Sequence, residues 1–497
     1  MQLKGTMVWL GRAVSLVVAA WFISASSRGI LKHYNKDMRT SSGSKDTNNH
    51  QVISTAAVTQ YSDFVSKTLN IRFKSELEPP SQFNEWKIFA EKQQCLLGLE
   101  NYAQIYRDLA PFLKDNTPFN ELANNIQDAT MGENHDGKFT QGHPLIYNSL
   151  TTLFSPIPEF KYAISLKYDE PQILPSETLP TVEYTQPADL FEHSQCIREK
   201  HGTASPENHI FENTNKQAHG FFMGPDTFLA KNKKTPLFSQ AKTDCFWDLI
   251  VPMKYHVEFL QETQVDDVVP WEKKQDVLFW RGSSTGGKYV SNYPWRRFHR
   301  TRLLDWAKQF EERYPKNAFD AGKTDPPQLS LSVNDTSLSW LAVDIGMHAT
   351  TQIEGSVDEQ LKKEYPLHGY VKFSRTLNFK YLLVIDGNTW PSRTPKYLAS
   401  NSVVLLSTAF IDWFMWMLVP FEHYVPVKID LSDLEDQLRW LRANDAKAKQ
   451  ISENARKLME KINRFEQMQC YTGLMMLEYS RIYENHRNGT VRTIDGE

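Results

Sequence analysis

Leu278-Phe279-Trp280-Arg281-Gly282-Ser283-Ser284-Thr285-Gly286-Gly287 is the stretch from which the rest of the chain can be ordered. Val277, Leu278 and Phe279 lead into an arginine, hydroxyl side chains and glycines. That order reads as a buried strand ending in a loop whose backbone can approach an anion closely. The planar guanidinium of Arg281 adds a fixed fork of donors to those amides, a combination able to hold a diphosphate without a metal ion. A strand followed by a Gly-rich turn is more often only a turn, so the surrounding sequence carries the weight.

Downstream, Tyr381-Leu382-Leu383-Val384-Ile385 is a continuous apolar run of the kind buried on both faces of a parallel sheet. The turn residues Asp386-Gly387-Asn388-Thr389 follow, then a helix beginning near Ser392 with Arg393 in its first turn. Val403 to Leu406 and Tyr424 to Val427 read as further buried strands. Strands alternating with helices predict a parallel, doubly wound sheet. Between the two clusters, Trp295-Arg296-Arg297-Phe298-His299-Arg300 begins a helix that continues through Leu303, Leu304 and Ala307. Its basic first turn has the wrong sign for the helix dipole, which fits either a bound anion or a solvated basic patch. Leu338 to Ile353 is mixed and receives no assignment. Ser432 and Glu435 match a capping box for a helix whose Leu434, Leu438 and Leu441 share one face. Ile451, Ala455, Leu458 and Ile462 repeat that stripe in a second helix, and both stripes read as core.

The 497 residues, 40% apolar and 12% aromatic, suffice for two or three domains of about 100 to 200 residues each. A net charge of -3 and a pI near 6.6 supply no basic field, which argues against a nucleic-acid partner. Met7 to Ser27 is the one membrane candidate: its stretch Ala13 to Ser27 carries no charge, with Lys4 and Arg12 on the N-terminal side and Arg28 and Lys32 after it. It is short for a span and reads as a signal anchor, with a cleaved signal peptide ending near Ser24-Ala25-Ser26 as the alternative. Lys32 to about Gln60 is polar and without apolar period, as in a flexible stem. Four cysteines, Cys95, Cys196, Cys245 and Cys470, lack metal-type spacing and allow up to two disulfides of open pairing in a secretory lumen. Asn334-Asp335-Thr336 and Asn488-Gly489-Thr490 are glycosylation acceptors in that compartment.

The first folded part opens with a helix over Tyr102 to Pro111. Tyr162 to Leu166 reads as a short strand that delivers Asp169 and Glu170 to its C-terminal end. α/β proteins place chemistry there, although a solvated turn closed by Pro171 is the commoner meaning of such a sequence. Gln186 to Lys234 is polar and irregular, and two short strands follow at Pro236 to Thr243 and Asp248 to Pro252.

Taken in order, these motifs resemble glycosyltransferase family 90, which includes fungal capsule-associated xylosyltransferases and animal protein O-glucosyltransferases. The resemblance runs from about Tyr102 to Tyr483. It rests on Asp108-Leu109-Ala110-Pro111-Phe112, Asp169-Glu170-Pro171, Pro236-Leu237-Phe238-Ser239 with Lys242 and Asp248, Trp280-Arg281-Gly282-Ser283, Lys380-Tyr381-Leu382 through Asp386-Gly387 to Arg393, and His423-Tyr424-Val425-Pro426-Val427. The family implies an α/β fold of two Rossmann-like lobes facing a cleft, a nucleotide-sugar donor and inversion at the anomeric carbon. By motif, Asp169 stands where the family has its catalytic base. Gly282, Ser283, Asp386, Gly387 and Arg393 match the loops that hold the nucleotide diphosphate, and Arg297 or Arg296 resembles a further contact. A family cysteine corresponds to Cys470, but its usual partner just before Phe379 is absent here.

The resemblance thus divides the chain into a tail and anchor (1–30), a stem (31–60), an N-terminal lobe with the acceptor side and base (61–235), a nucleotide-sugar lobe (236–430) and C-terminal helices (431–497). It implies a UDP-sugar donor, xylose before glucose, a glycan or glycoprotein acceptor, and a single-pass type II protein of the Golgi or endoplasmic reticulum. No Asp-x-Asp pair occurs in the sequence, so no metal ligands and no required cofactor are expected. The competing classes are a non-catalytic carbohydrate-binding protein and a nucleotide-sugar hydrolase. The sequence has no HExxH motif to favour the hydrolase.

Overall fold

The apolar runs at 277–280, 381–385 and 403–406 become neighbouring parallel strands, as their unbroken hydrophobicity predicts. The computed structural model describes residues 236–487, except 243–246, 259, 261–264, 288, 292–294 and 330–336, and scattered positions between Cys95 and Ile164. Asp169, the Met7–Ser27 segment, the stem, Cys196, Cys245 and both glycosylation triplets lie outside the described residues.

The strands are β1 (Ala163–Ile164), β2 (Leu237–Ser239), β3 (Ala241–Lys242), β4 (Leu249–Ile250), β5 (Gln275–Ser283), β6 (Ala342–Ala349), β7 (Phe379–Ile385), β8 (Val403–Ser407), β9 (Ile411–Asp412) and β10 (Val425–Pro426). The helices are α1 (Lys254–Glu258), α2 (His299–Arg313), α3 (Gly355–Glu364), α4 (Phe373–Thr376), α5 (Thr394–Leu398), α6 (Leu434–Ala443), α7 (Asp445–Ile462) and α8 (Phe465–Arg487). Five strands form a parallel sheet in the order β10-β8-β7-β5-β6. The chain leaves β5 for β6 on one side and returns to β7 on the other. The strand order therefore reverses between β5 and β7, and the crevice beyond their carboxyl ends is where open α/β sheets bind ligands.

Alternate residues of these strands feed two separate cores, as the two-residue period of a strand requires. Phe279, Leu382, Val384 and Leu406 join one, with Leu398 of α5, Met459 of α7 and Tyr471 of α8. Leu278, Trp280, Leu383 and Leu405 join the other, with Leu303 of α2, Leu361 of α3 and Leu438 of α6. Helices cover both faces, so the doubly wound reading holds.

The expected capping box does not form. α6 begins at Leu434 with Asp433 as its N-cap residue, and Glu435 turns outward to Arg313 and Arg439. The helix expected near Ser392 begins at Thr394, with Arg393 as its N-cap residue. Leu338 to Ile353, left unassigned from sequence, contains the edge strand β6.

A second, smaller parallel sheet has the order β1-β2-β4. Phe238 of β2 meets Tyr479 of α8 edge-on at 5.3 Å. Two of the family-like motifs converge here on structure rather than on a cleft. The buried Asp108 carboxylate pairs with Lys242 Nζ at 2.7 Å and accepts the Ile250 N–H at 2.8 Å, while Lys242 donates to the Asp248 carbonyl at 2.6 Å. Burial raises the Asp108 pKa even against Lys242. A disulfide joins Cys95 to Cys470, so Cys470 has a partner far upstream in place of the one missing before Phe379.

Candidate active site

At the carboxyl ends of β5 and β7 the two loops singled out from sequence touch. Gly286 has φ of 91°, and a Cβ there would stand 2.8 Å from the Gly387 carbonyl. A Cβ on Gly387 would stand 3.0 Å from Arg300 Nη2. Gly286 needs glycine for its left-handed backbone and the close approach, and at Gly387 a Cβ would crowd the guanidinium. The Gly286 N–H donates to Asn388 Oδ1 at 3.0 Å, which ties one loop to the other.

Arg300, in the first turn of α2, is the side chain on which this junction closes. Its Nε donates to the Asp386 carbonyl at 2.9 Å and its Nη1 to the Ser283 carbonyl at 2.7 Å. The guanidinium lies 5.6 Å over the Trp280 ring. Both hydrogen-bond partners are neutral carbonyls. Burial, and then the nearby Arg393, push its pKa down to about 10. Arg393 is half-buried, donates to the Arg281 carbonyl, and lies against Tyr397. Among the described residues, no carboxylate is within ion-pair distance of Arg300 or Arg393. Two neighbouring guanidinium groups that among the described residues lack a carboxylate at ion-pair distance favour an anionic occupant at the crevice.

Arg281 sits differently. Its Nη2 meets both oxygens of the fully buried Asp344, at 2.7 and 2.6 Å, and Asp320 at 3.3 Å, while its Nη1 lies 2.8 Å from His368 Nδ1. These partners occupy its terminal nitrogens, so it lines the cavity beside Arg393 without offering an open fork. Asp320, Asp344 and His368 have their ligand atoms close enough together for a metal ion, but the Arg281 guanidinium bonds to all three and supplies their positive charge. The set reads as an ion-pair cluster.

The other predicted positions fall as follows. Gly282 and Ser283 end β5, and the missing side chain at Gly282 leaves room for the Trp280 ring and Arg300 Nη1. The Asp386 carboxylate is buried against Thr408 Oγ1 and the Ala409 N–H, and its carbonyl, not its side chain, meets Arg300. Arg296 is not brought to the crevice: its side chain is 50% exposed, paired with Glu364 and stacked on Trp295. Arg297 is half-buried beside Arg302. Sequence reasoning missed Arg300, although it stood in the quoted basic run. It also missed His348, an exposed residue of β6 whose pKa is lowered by partial burial and by Arg281, Arg393 and Arg300 together.

Next to the arginines opens a cavity of about 260 Å³ lined by His348, Tyr370, Val371, Phe373, Arg393 and Tyr397, among others. Aromatic and apolar walls beside a cationic end suit a planar ring attached to phosphates. A cavity of about 470 Å³ between α2 and α6 is lined by Asp305, Asp430, Glu435 and Asp436 with Arg302 and Arg439, a predominantly acidic set unsuited to a diphosphate. Among the described residues, no helix is long and apolar enough to cross a membrane.

The sequence model described as "Glycosyl transferase family 90" matches residues 246–491, which include both crevice loops and α2. Protein O-glucosyltransferase 3 of Homo sapiens is 27% identical over 123 residues, 24% of this chain and 24% of that protein. Protein O-glucosyltransferase 1 of Rattus norvegicus is 24% identical over 212 residues, 43% of each chain. The uncharacterized protein 179R of Invertebrate iridescent virus 6 is 27% identical over 199 residues, 38% of this chain but 16% of that protein. In each case the match spans less than half of the relative's length.

Proposed function

Since the chain belongs to glycosyltransferase family 90, we propose that it transfers a sugar from a UDP-sugar to a hydroxyl of a glycan or protein acceptor, with inversion at the anomeric carbon. The observation that carries this reading is the pairing of Arg300 with Arg393, two arginines that among the described residues have no carboxylate at ion-pair distance, at the β5–β7 crevice. In the proposed reaction the acceptor oxygen bonds to the anomeric carbon while its proton passes to a carboxylate of Asp169. The bond from that carbon to the diphosphate breaks, and the electron pair leaves with the phosphate oxygen. Arg300, Arg393 and the Gly387 loop meet the charge that develops there, and the cavity beside Tyr370 and Phe373 takes the nucleoside. Fixed donors aimed at a developing anion lower the barrier because they need no reorganisation as the charge appears. A positioned general base contributes a further factor of about 10² to 10⁴.

The donor sugar is xylose or glucose: the fungal resemblance favours the first, the names of the relatives the second. The reaction requires no cofactor in this scheme, and Met7–Ser27 anchors the chain in a Golgi or endoplasmic reticulum membrane with the folded part lumenal. A screen of UDP-sugars with mannose-containing glycans as acceptors, reading UDP release and the glycosylated product, tests the whole reading. Acceptor-dependent release that fails in Asp169→Asn, with UDP binding and folding intact, is the expected result. Free sugar formed whatever the acceptor would make the chain a hydrolase, and absence of UDP release with every donor would make it a binding protein.

A further inference from the structure

Building on that reading of the crevice, we infer that His256 is a positioning residue for the diphosphate grip: its ring clamps Trp390 and so fixes the loop that delivers Arg393. His256 lies on α1, just past the small sheet, and is 5% exposed. Its Nδ1 accepts the Met253 N–H at 3.0 Å, and its Nε2 lies 2.8 Å from Asp412 Oδ1. A backbone amide can only donate, so Nδ1 is the bare nitrogen and Nε2–H points at the carboxylate. The two bonds set both the tautomer and the plane of the ring. That plane lies on the indole of Trp390, with centroids 4.6 Å apart and 10° between planes.

Trp390 belongs to the loop between β7 and α5, and Arg393 follows it as the N-cap residue of α5. The start of this loop is held from the β5 side through Asn388 and the Gly286 amide. On its other side the Trp390 ring rests on His256, so the loop is gripped from two directions before it presents Arg393. Asp412 sits on β9, whose antiparallel partner β3 lies in the chain between β2 and β4 of the small sheet. The clamp therefore connects the small-sheet region to the crevice through packed side chains. With both nitrogens engaged and the ring buried, His256 has no atom left to touch a substrate, so it acts through Trp390.

A double-mutant cycle on the full chain, read as UDP affinity by titration calorimetry, separates positioning from general support of the fold. His256→Ala should weaken UDP binding about tenfold, within the range that contacting residues couple. The His256→Ala/Arg393→Ala double variant should bind no more weakly than Arg393→Ala alone, because the clamp matters only through that arginine. Trp390→Leu, which removes the stack and leaves the His256–Asp412 pair in place, should repeat the pattern and serves if His256→Ala does not fold. Unchanged affinity in folded His256→Ala or Trp390→Leu, or losses that add to that of Arg393→Ala, would overturn the inference while leaving the donor reading intact. A wild-type chain that binds no UDP would overturn the donor reading and this inference with it.

Discussion

At Arg300 a buried cation meets two carbonyl oxygens and, among the described residues, no carboxylate at ion-pair distance, and burial followed by the nearby Arg393 pushes its pKa down to about 10. A phosphate oxygen placed there would relieve that cost, since hydrogen bonds to charged groups are worth about 1.5 to 3 kcal/mol. Arg300→Ala should therefore weaken UDP binding by roughly 10- to 100-fold. Arg296→Ala, which removes a half-exposed partner of Glu364, should change it less than about twofold. Isothermal titration of both variants measures the contrast. The sequence displayed both arginines in one basic run but could not rank them. What singles out Arg300 is the Asp386 carbonyl, a contact between residues 86 apart in the chain. Arg393 was legible because it follows a buried strand and a turn directly. His423, in another of the family-like motifs, carries a separate consequence. Burial pushes its pKa down to about 4, and its Nδ1 accepts the Val419 N–H. Its unfolded value is near 6.5, so below that pH the unfolded chain binds the extra proton and stability rises with pH. Acidification from pH 7 through about 4 should remove about 3 kcal/mol on this account. Urea midpoints across that range should show a shallower slope for His423→Gln than for the wild type.

Among the elements, β6 shows why a strand can escape notice. Ala342 to Ala349 places Asp344 and Gly346 inside a buried segment, where neither residue type favours a strand. Asp344 is tolerated because Arg281 of β5 meets both its oxygens, and Gly346 because the His368 ring occupies the space a Cβ would fill. Arg281 lies across the sheet and His368 in the connection after α3, both out of reach of a local pattern. β5, β7 and β8 were legible because they are unbroken apolar runs. The same ion pair gives a prediction for the β5–β6 pairing: Arg281→Ala leaves a buried carboxylate without its counter-charge, which costs about 3 to 5 kcal/mol. The double variant Arg281→Met/Asp344→Leu should regain much of that loss. Chemical denaturation of the two variants measures the difference, and equal stability would show that the pair contributes little to the sheet. The capping box failed for a related reason, since Glu435 finds Arg313 and Arg439 instead of an N-terminal amide.

In the molecule as a whole, the Cys95–Cys470 disulfide joins segments 375 residues apart, and the small sheet packs on the helix that contains Cys470. Spacing alone could not choose among the possible pairings of four cysteines. Closing so long a loop restricts the unfolded chain strongly, so Cys95→Ser should lower stability by about 2 to 5 kcal/mol, measured by denaturation without reductant. The parallel sheet was readable at this scale from alternating strands and helices. The reversal of strand order was not, because β6 was invisible and with it the step to one side of β5. That reversal puts the Gly286 and Gly387 loops, Arg300 and Arg393 in one crevice. A crystal structure of the chain with UDP, grown with chelator present, tests this arrangement most directly. The diphosphate should lie between Arg300 and Arg393 with the uracil in the cavity beside Tyr370. A diphosphate bound elsewhere, or at the crevice but out of reach of both arginines, would contradict it.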